Sequence, residues 1–209
     1  MAKILYIEAS PRKERSASIE VAHNFLNAYR AAHPDDTVET LDLWATDLPR
    51  FDQSTLDAKY AIMHGQPHTP EQKAAWEAVE RIAAQFKSAD KYVFSLPMWN
   101  FGVPYILKHY IDVLLQPGLT FSFTPEEGYK GLVTGKPAVV IYAQGGQYPK
   151  GTHWENYDLQ SKYLELVLGF IGFTDVKSVH VNGTLNGADG KDKAVAAGTT
   201  EAVALAETF

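Results

Sequence analysis

The segment KILYIEASPRKER (residues 3–15) decides the fold, because a short apolar run ends abruptly in a polar loop. Residues 3–7 are apolar and bounded by polar residues, which is typical of a buried strand. Residues 16–33 carry apolar side chains at helical spacing and predict a helix that ends at Pro34. Residues 37–43 (TVETLDL) alternate between apolar and polar and predict a second strand. Strand, helix and strand in this order form a βαβ unit with a right-handed crossover.

The rest of the chain repeats this alternation. Further strands are predicted at residues 91–96, 138–143 and 175–181, and further helices at residues 69–88, 104–115, 159–170 and 191–208. Thr69, Pro70 and Gln72 form a capping box with proline at the first helical position. The sequence therefore predicts an α/β three-layer sandwich with a doubly wound, five-stranded parallel sheet. We expect one domain over residues 1–209, with insertions at about 44–68 and 118–134, the first holding a short helix at 54–63 and the second a hairpin.

Composition narrows the functional class. The chain has 209 residues, and 25 acidic against 19 basic residues give a net charge of −6, which argues against a nucleic-acid partner. The absence of cysteine removes thiolate metal sites and cysteine nucleophiles. No apolar stretch approaches the ~18 residues of a membrane span, so we expect a cytoplasmic protein without a membrane partner. We expect no metal site, since Gly65 and Pro67 keep His64 and His68 off a common helix face.

Three predicted loops leave neighbouring strands at the carboxyl edge of the sheet, where doubly wound folds bind ligands. The first loop, residues 8–18, combines Ser10, Ser16 and Ser18 with basic residues such as Arg12. Hydroxyl groups beside the free N–H groups of a helix N-terminus suit a phosphate dianion. The alternative is that Ser16 only caps the helix and the basic side chains are solvated.

The second and third loops suit a flat ring. Residues 97–103 (PMWNFGV) combine two aromatic side chains with an amide, which fits the face and edge of a planar heterocycle. Gly145 and Gly146 directly follow a strand and allow close approach of the backbone. The alternatives are a core-packing turn and a simple tight turn. Tyr148 and His153 are candidates for hydrogen bonds to a substrate oxygen, against a simple surface position.

The residues of these loops carry a resemblance. The chain resembles the FMN-dependent NADH-azoreductases of the flavodoxin-like quinone reductase superfamily over nearly its whole length. The segments that match are KILYIEASPR, PMWNF, LTFSFT, GLVTGK, the Gly-Gly pair and LGFIGFTDV. Two positions depart from the common pattern: Trp99 replaces a frequent Tyr, and Ala143-Gln144 replaces a frequent Ser-Arg before the glycines. The departures leave open the physiological acceptor and the choice between NADH and NADPH.

The resemblance implies a flavodoxin-like homodimer with FMN at each subunit interface. It assigns the FMN phosphate to Ser10, Ser16, Ala17 and Ser18, and we expect Arg12 of the same loop to join them. It assigns the isoalloxazine ring to Met98, Trp99, Asn100 and Phe101, with Pro97 expected beside them, and the pyrimidine side of that ring to Gln144, Gly145 and Gly146. Phe121 and Phe123 match a region that overhangs the partner's flavin, and with Tyr148 they would line the substrate space.

The resemblance also implies an activity. NADH would deliver hydride to flavin N5, and a quinone or aromatic azo compound would then take the electrons in the same pocket by a ping-pong mechanism. An N–H group of Asn100 or Phe101 would orient the ring near N5. The amides of Gly145 and Gly146 would stabilise the reduced, anionic flavin. The alternative is an electron carrier of the flavodoxin type without its own small-molecule acceptor.

Overall fold

Five parallel strands form the central sheet of the computed structural model, which describes residues 1–209. The strands of this sheet are β1 (Lys3–Glu8), β2 (Thr37–Asp42), β3 (Lys91–Pro97), β6 (Ala138–Gln144) and β7 (Val176–Asn182). Their order across the sheet is β2-β1-β3-β6-β7. The helices are α1 (Ala17–Ala32), α2 (Gln53–Met63), α3 (Pro70–Lys87), α4 (Tyr105–Leu114), α5 (Leu159–Ile171) and α6 (Gly190–Ala206). An antiparallel hairpin, β4 (Phe121–Thr124) and β5 (Gly128–Gly131), stands outside the sheet.

The sheet has a core on each face. Helices α1 and α6 cover one face, where Phe25 of α1 packs among the aliphatic side chains of the strands. Helices α3, α4 and α5 cover the other face, where Phe86 and Tyr92 lie in the larger core. Strand β6 is buried along its whole length. This explains why its sequence is a continuous apolar run with no alternation.

The topology brings three loops together. From β1 the chain continues to β2 on one side of β1, while β3 pairs with the other side of β1, so the connection reverses direction between β1 and β3. At the carboxyl edge Glu8 lies beside Ser95, and Pro97 lies beside Ala143. The loops that follow β1, β3 and β6 therefore start side by side at the switch point of the sheet.

The predicted fold class is confirmed, and the predicted element bounds hold to within two or three residues. The capping box at Thr69 is present with both of its hydrogen bonds. The first insertion contains α2 and the second contains the hairpin of β4 and β5. The organisation into one domain with two insertions stays a prediction. None of the helices is long and apolar enough to cross a membrane.

Candidate flavin-binding site

A cradle of buried hydroxyl groups lies where β1 passes into α1. Ser10, Ser16 and Ser18 are all buried, and the hydroxyl groups of Ser16 and Ser18 lie 3.2 Å apart. Ser16 is the residue before the helix, but its side chain makes no capping hydrogen bond. The N–H groups of Ala17, Ser18 and Ile19 donate no hydrogen bond within the chain. The hydroxyl groups and these free donors converge at the positive end of the α1 dipole, which is the chemistry that a phosphate dianion requires.

The basic residues Arg12 and Lys13 of this loop lie in different surroundings. Arg12 is exposed and forms no ion pair. Lys13 turns away from the serines, and its ammonium lies 2.5 Å from Glu8 Oε1 and 2.6 Å from Asp42 Oδ1. Partial burial works against the ammonium charge, but the bonds to Asp42 and Glu8 outweigh it and leave the pKa of Lys13 raised. This ion-paired role was not predictable from the sequence, because Asp42 lies 29 residues further along the chain.

The loop after β3 is a two-residue hairpin. Trp99 and Gly102 exchange two backbone hydrogen bonds of 3.0 Å, with Asn100 and Phe101 at the turn. Both turn residues have positive φ, 49° for Asn100 and 70° for Phe101. This backbone conformation suits glycine and costs on the order of 1 kcal/mol in other residues, and it is commonly found at ligand sites. Neither Asn100 nor Phe101 donates its N–H within the chain, so two donors point out of the turn.

The hairpin separates two hollows. Trp99 packs near Trp44 and Tyr105, with ring centroids 5.9 Å and 6.1 Å away, and borders a cleft of about 620 Å³. Phe101 lies on the other side, 5.4 Å from the ring of Tyr157. It borders a cavity of about 370 Å³, which we call the ring cavity; its lining residues are Phe101, Gly146, Gln147, Tyr148, Trp154 and Tyr157.

The loop after β6 presents free donors beside the ring cavity. The carbonyl groups of Gly145 and Gly146 accept hydrogen bonds from Leu185 and Gly183, which hold the loop in place. Their N–H groups donate none within the chain. A Cβ at Gly145 would lie 2.8 Å from Leu185 Cδ1, and one at Gly146 would lie 3.4 Å from the Tyr148 hydroxyl. A side chain at Gly145 would displace the Leu185 side chain, and the absence of one at Gly146 leaves room beside the Tyr148 hydroxyl.

The structure separates some of the predicted residues. Gln144 is buried beneath the loop, where its amide donates to Gln160 Oε1 at 3.2 Å and its own oxygen has no partner. His153 is exposed and contacts Trp154 and Tyr157, but it does not line the ring cavity. Phe121 and Phe123 lie on the hairpin β4–β5, in a cluster with Tyr129 and Phe170. They line neither hollow.

Three aromatic residues of the site were missed by sequence reasoning. Trp154 and Tyr157 lie on a 3₁₀ turn, His153–Tyr157, and form one wall of the ring cavity. Trp44 follows β2, and its indole N–H donates to the carbonyl of Ala9 at 3.0 Å, beside the serine loop. The spacing of Trp154 and Tyr157, three residues apart after Gly151, is a usable signal, because aromatic pairs at that spacing share one side of a 3₁₀ turn.

The three sets of donors fit FMN. The serine cradle suits the terminal phosphate, and the aromatic side chains and free N–H groups along β3 and β6 suit a flat, polar-edged ring system. A doubly wound sheet with this site defines a flavodoxin-like protein.

Comparison with known proteins supports that class. A family model described as a flavodoxin-like fold matches residues 2–205. A protein of Nitratidesulfovibrio vulgaris named FMN-dependent NADH:quinone oxidoreductase is 55% identical over 187 residues, covering 90% of this chain and 89% of that protein. One of the same name from Desulfotalea psychrophila is 51% identical and covers 99% of this chain and 97% of its own length. The crystal structure of an FMN-dependent NADH-azoreductase from Bacillus anthracis in complex with FMN has a TM-score of 0.91 at 31% identity, covering 100% and 99% of the two chains.

The chain belongs to the flavodoxin-like family, among its FMN-dependent NADH:quinone oxidoreductases. The predicted family and its FMN-dependent enzyme class are thereby confirmed. The assignments of individual site residues stay predictions.

Proposed function

We propose that this protein reduces quinones and aromatic azo compounds with NADH, using FMN bound across the loops after β1, β3 and β6. The observation that carries the proposal is the row of unbonded backbone donors at the carboxyl edge. They occur at the start of α1, at Asn100–Phe101 and at Gly145–Gly146. Each set matches one part of the cofactor, in an order that follows the neighbouring strands.

The serine loop binds the phosphate end in this proposal. Ser10, Ser16 and Ser18 supply hydroxyl groups, and the first N–H groups of α1 supply backbone donors. Arg12 is exposed and forms no ion pair, so its guanidinium is free to screen the phosphate charge from the solvent side. A buried anion site of this kind requires donors that are already in place, because moving them would cost the binding energy that they provide.

The other two loops hold and tune the ring. FMN, when bound, supplies hydride transfer from NADH to the acceptor. The free N–H groups of Asn100 and Phe101 orient the ring edge, and the strained turn keeps them directed outward. The N–H groups of Gly145 and Gly146 stabilise negative charge on the pyrimidine side.

One pocket serves both NADH and the acceptor. The ring cavity of about 370 Å³ has aromatic walls and admits one flat ring system beside the flavin site. Tyr148 is one of the polar side chains that line the ring cavity, and in this proposal its hydroxyl donates to a substrate oxygen or nitrogen. If the nicotinamide and the acceptor use the same space, they bind in turn, and the kinetics are ping-pong.

Two copies of the chain complete the site in this proposal. Phe123, Tyr129 and Leu166 are 56%, 67% and 72% exposed, and Phe121 and Phe170 join them in one apolar surface of the hairpin and α5. An exposed apolar surface of this kind is typical of a subunit interface. The homodimer would place the hairpin of one subunit near the flavin of the other.

The test is a visible absorption spectrum of the FMN-loaded protein under anaerobic conditions. NADH is expected to bleach the flavin bands, and menadione is expected to restore them. Initial rates at several fixed NADH concentrations should give parallel double-reciprocal lines. Intersecting lines would overturn the shared pocket. Flavin that stays oxidised with both NADH and NADPH would favour the electron carrier, and failure to bind FMN would overturn the whole assignment.

The dimer is tested separately by light scattering on a sizing column. The Leu166→Glu variant should elute as a monomer, because it places a charge in the apolar surface. The matched control is Tyr60→Glu, at an exposed aromatic residue on α2 (53% exposed), which should leave the mass unchanged. A wild-type protein that is monomeric at micromolar concentration would contradict the proposal.

A further inference from the structure

Lys13 has a backbone conformation that lysine rarely adopts. Its φ is 47°, and it opens the short 3₁₀ turn Lys13–Arg15 between Ser10 and Ser16. A side chain in this region costs on the order of 1 kcal/mol and persists where surrounding contacts enforce it. The contacts that enforce it involve both the backbone and the ammonium group.

Lys13 joins three segments through its ammonium group and its backbone carbonyl. It contacts Glu8 Oε1 at the end of β1 and Asp42 Oδ1 at the end of β2, at 2.5 Å and 2.6 Å. The carbonyl of Lys13 accepts a hydrogen bond of 2.8 Å from the N–H of Ser16. Lys13 therefore connects the ends of two strands to the residue that opens the phosphate cradle.

Glu8 explains why this connection matters for binding. Its side chain is only 9% exposed and lies two residues before Ser10. A buried carboxylate beside the cradle would repel a phosphate dianion and would itself be costly without a partner. The ammonium of Lys13 neutralises the Glu8 carboxylate, and that ammonium is fully engaged by its carboxylate partners.

We propose that Lys13 is a positioning residue that sets the affinity for the FMN phosphate without touching it, by neutralising Glu8 and holding the serine loop closed. The inference rests on the proposed function. Its consequence is selectivity: Lys13 makes the site prefer FMN over riboflavin, which has the same ring and no phosphate. A lysine that bound the phosphate directly would have to leave both carboxylates.

The experiment measures the Kd of FMN and of riboflavin by fluorescence quenching with the apoprotein. The Lys13→Met variant should raise the Kd of FMN by about tenfold or more, the loss expected for one charge-assisted interaction, and change that of riboflavin by less than about twofold. The Glu8→Gln/Lys13→Met double variant should recover most of the FMN affinity, because no buried charge remains to be neutralised.

Lys3→Met is the matched control. Lys3 also joins β1 to β2 through an ion pair, with Glu39 at 2.6 Å, and it is 35% exposed where Lys13 is 34% exposed. It lies at the opposite edge of the sheet. This variant loses the same charge and should bind both flavins as the wild type does.

Three results would overturn the inference. An unchanged FMN affinity in Lys13→Met would remove the role, and equal losses for FMN and riboflavin would show a general structural role. A double variant as weak as the single one would show that Lys13 acts independently of Glu8. If Lys13→Met does not fold, the double variant decides, since it should then fold and bind FMN. A wild-type protein that binds neither flavin would overturn the proposed function instead.

Discussion

The two edges of the central sheet differ in which residue types adopt unfavourable backbone conformations. At the amino edge, Gly118, Gly135 and Gly172 take the positive φ angles of the turns. At the carboxyl edge, residues with side chains also take them: Lys13 after β1, and Asn100 and Phe101 after β3. All three non-glycine residues with positive φ lie in the loops of the candidate site.

Hydrogen bonding shows the same contrast. At the amino edge, Lys136 donates to the carbonyl groups of Lys87 and Ala89, and Val133 donates to Ile171. At the carboxyl edge, the first N–H groups of α1 and those of two further loops have no partner in the chain. The groups at the amino edge find their hydrogen-bond partners within the chain. The carboxyl edge retains strained backbone conformations and free N–H donors that a ligand can use.

The largest effect is expected from Gly131→Ala at the amino edge. A Cβ at Gly131 would overlap backbone atoms of Ile171 and Gly172 at the end of α5. Because backbone cannot move aside cheaply, we expect a loss of more than about 3 kcal/mol of folding free energy and a fall of about 10 °C in Tm. Thermal unfolding of the apoprotein measures it.

Gly169→Ala is the control for this prediction. Gly169 lies in α5, the helix whose end Gly131 contacts, and a Cβ there would meet no atom within 4 Å. Alanine in a helix should leave the stability unchanged or raise it by up to about 1 kcal/mol. If Gly131→Ala were as stable as Gly169→Ala, the backbone at the amino edge would be able to move aside, and this edge would not be rigid.

A smaller effect is expected at the carboxyl edge, where Phe101→Gly and Phe101→Ala separate strain from stacking. Both variants lose the ring and should raise the Kd of FMN by a similar factor, about tenfold. Glycine also relieves the positive φ, so the apoprotein of Phe101→Gly should be about 1 kcal/mol more stable than that of Phe101→Ala. Chemical denaturation measures the difference. Equal stability of the two would show that the turn carries no strain.

The same contrast explains what the sequence could predict. The sheet and its flanking helices were predictable because apolar periodicity and helix caps are local signals, as at Thr69 and Gln72. Conformations that break local preferences carry no such signal. Asn100 is a residue type that tolerates a left-handed turn, but Phe101 stands where a hairpin of this type would normally have glycine, so the pair does not predict the turn.

The site was predictable as three loops and not as contacts. Serines and glycines at strand ends indicated where a ligand binds, because topology alone places those ends together. The direction of a long side chain depends on partners far away in sequence. Lys13 lies within the serine loop in sequence, but Asp42 at the end of the next strand holds its ammonium away from the serines. Gln144 likewise turned inward to Gln160 on α5.

A still smaller effect is expected from Tyr148→Phe. The hydroxyl lies beside Gly146 in the ring cavity and is proposed to donate to the acceptor. We expect kcat/KM for menadione to fall severalfold, by an amount typical of one neutral hydrogen bond, while the FMN Kd stays unchanged. His153→Ala should change neither, because His153 does not line the cavity. A larger loss in His153→Ala than in Tyr148→Phe would reverse the two roles.

The smallest effect concerns pH and the amino edge. The ammonium of Lys3 and the amide of Gln85 bond to Glu39 and lower the pKa of its carboxyl. A carboxyl whose pKa is lower in the folded state stabilises the protein above its unfolded pKa, and that stabilisation disappears as pH falls through the folded pKa.

Glu39→Gln should therefore be slightly less stable than the wild type at pH 7, by less than about 1 kcal/mol because solvent screens the pair. The Tm difference between the two proteins should shrink as the pH falls and disappear below the folded-state pKa, where the carboxyl is protonated in both states. FMN affinity should be identical at pH 7, since Glu39 lies on the half of β2 away from Asp42 and the serine loop. A Tm difference that did not shrink as the pH fell would assign the effect to packing and not to charge, and a change in FMN affinity would show that the two edges are not independent.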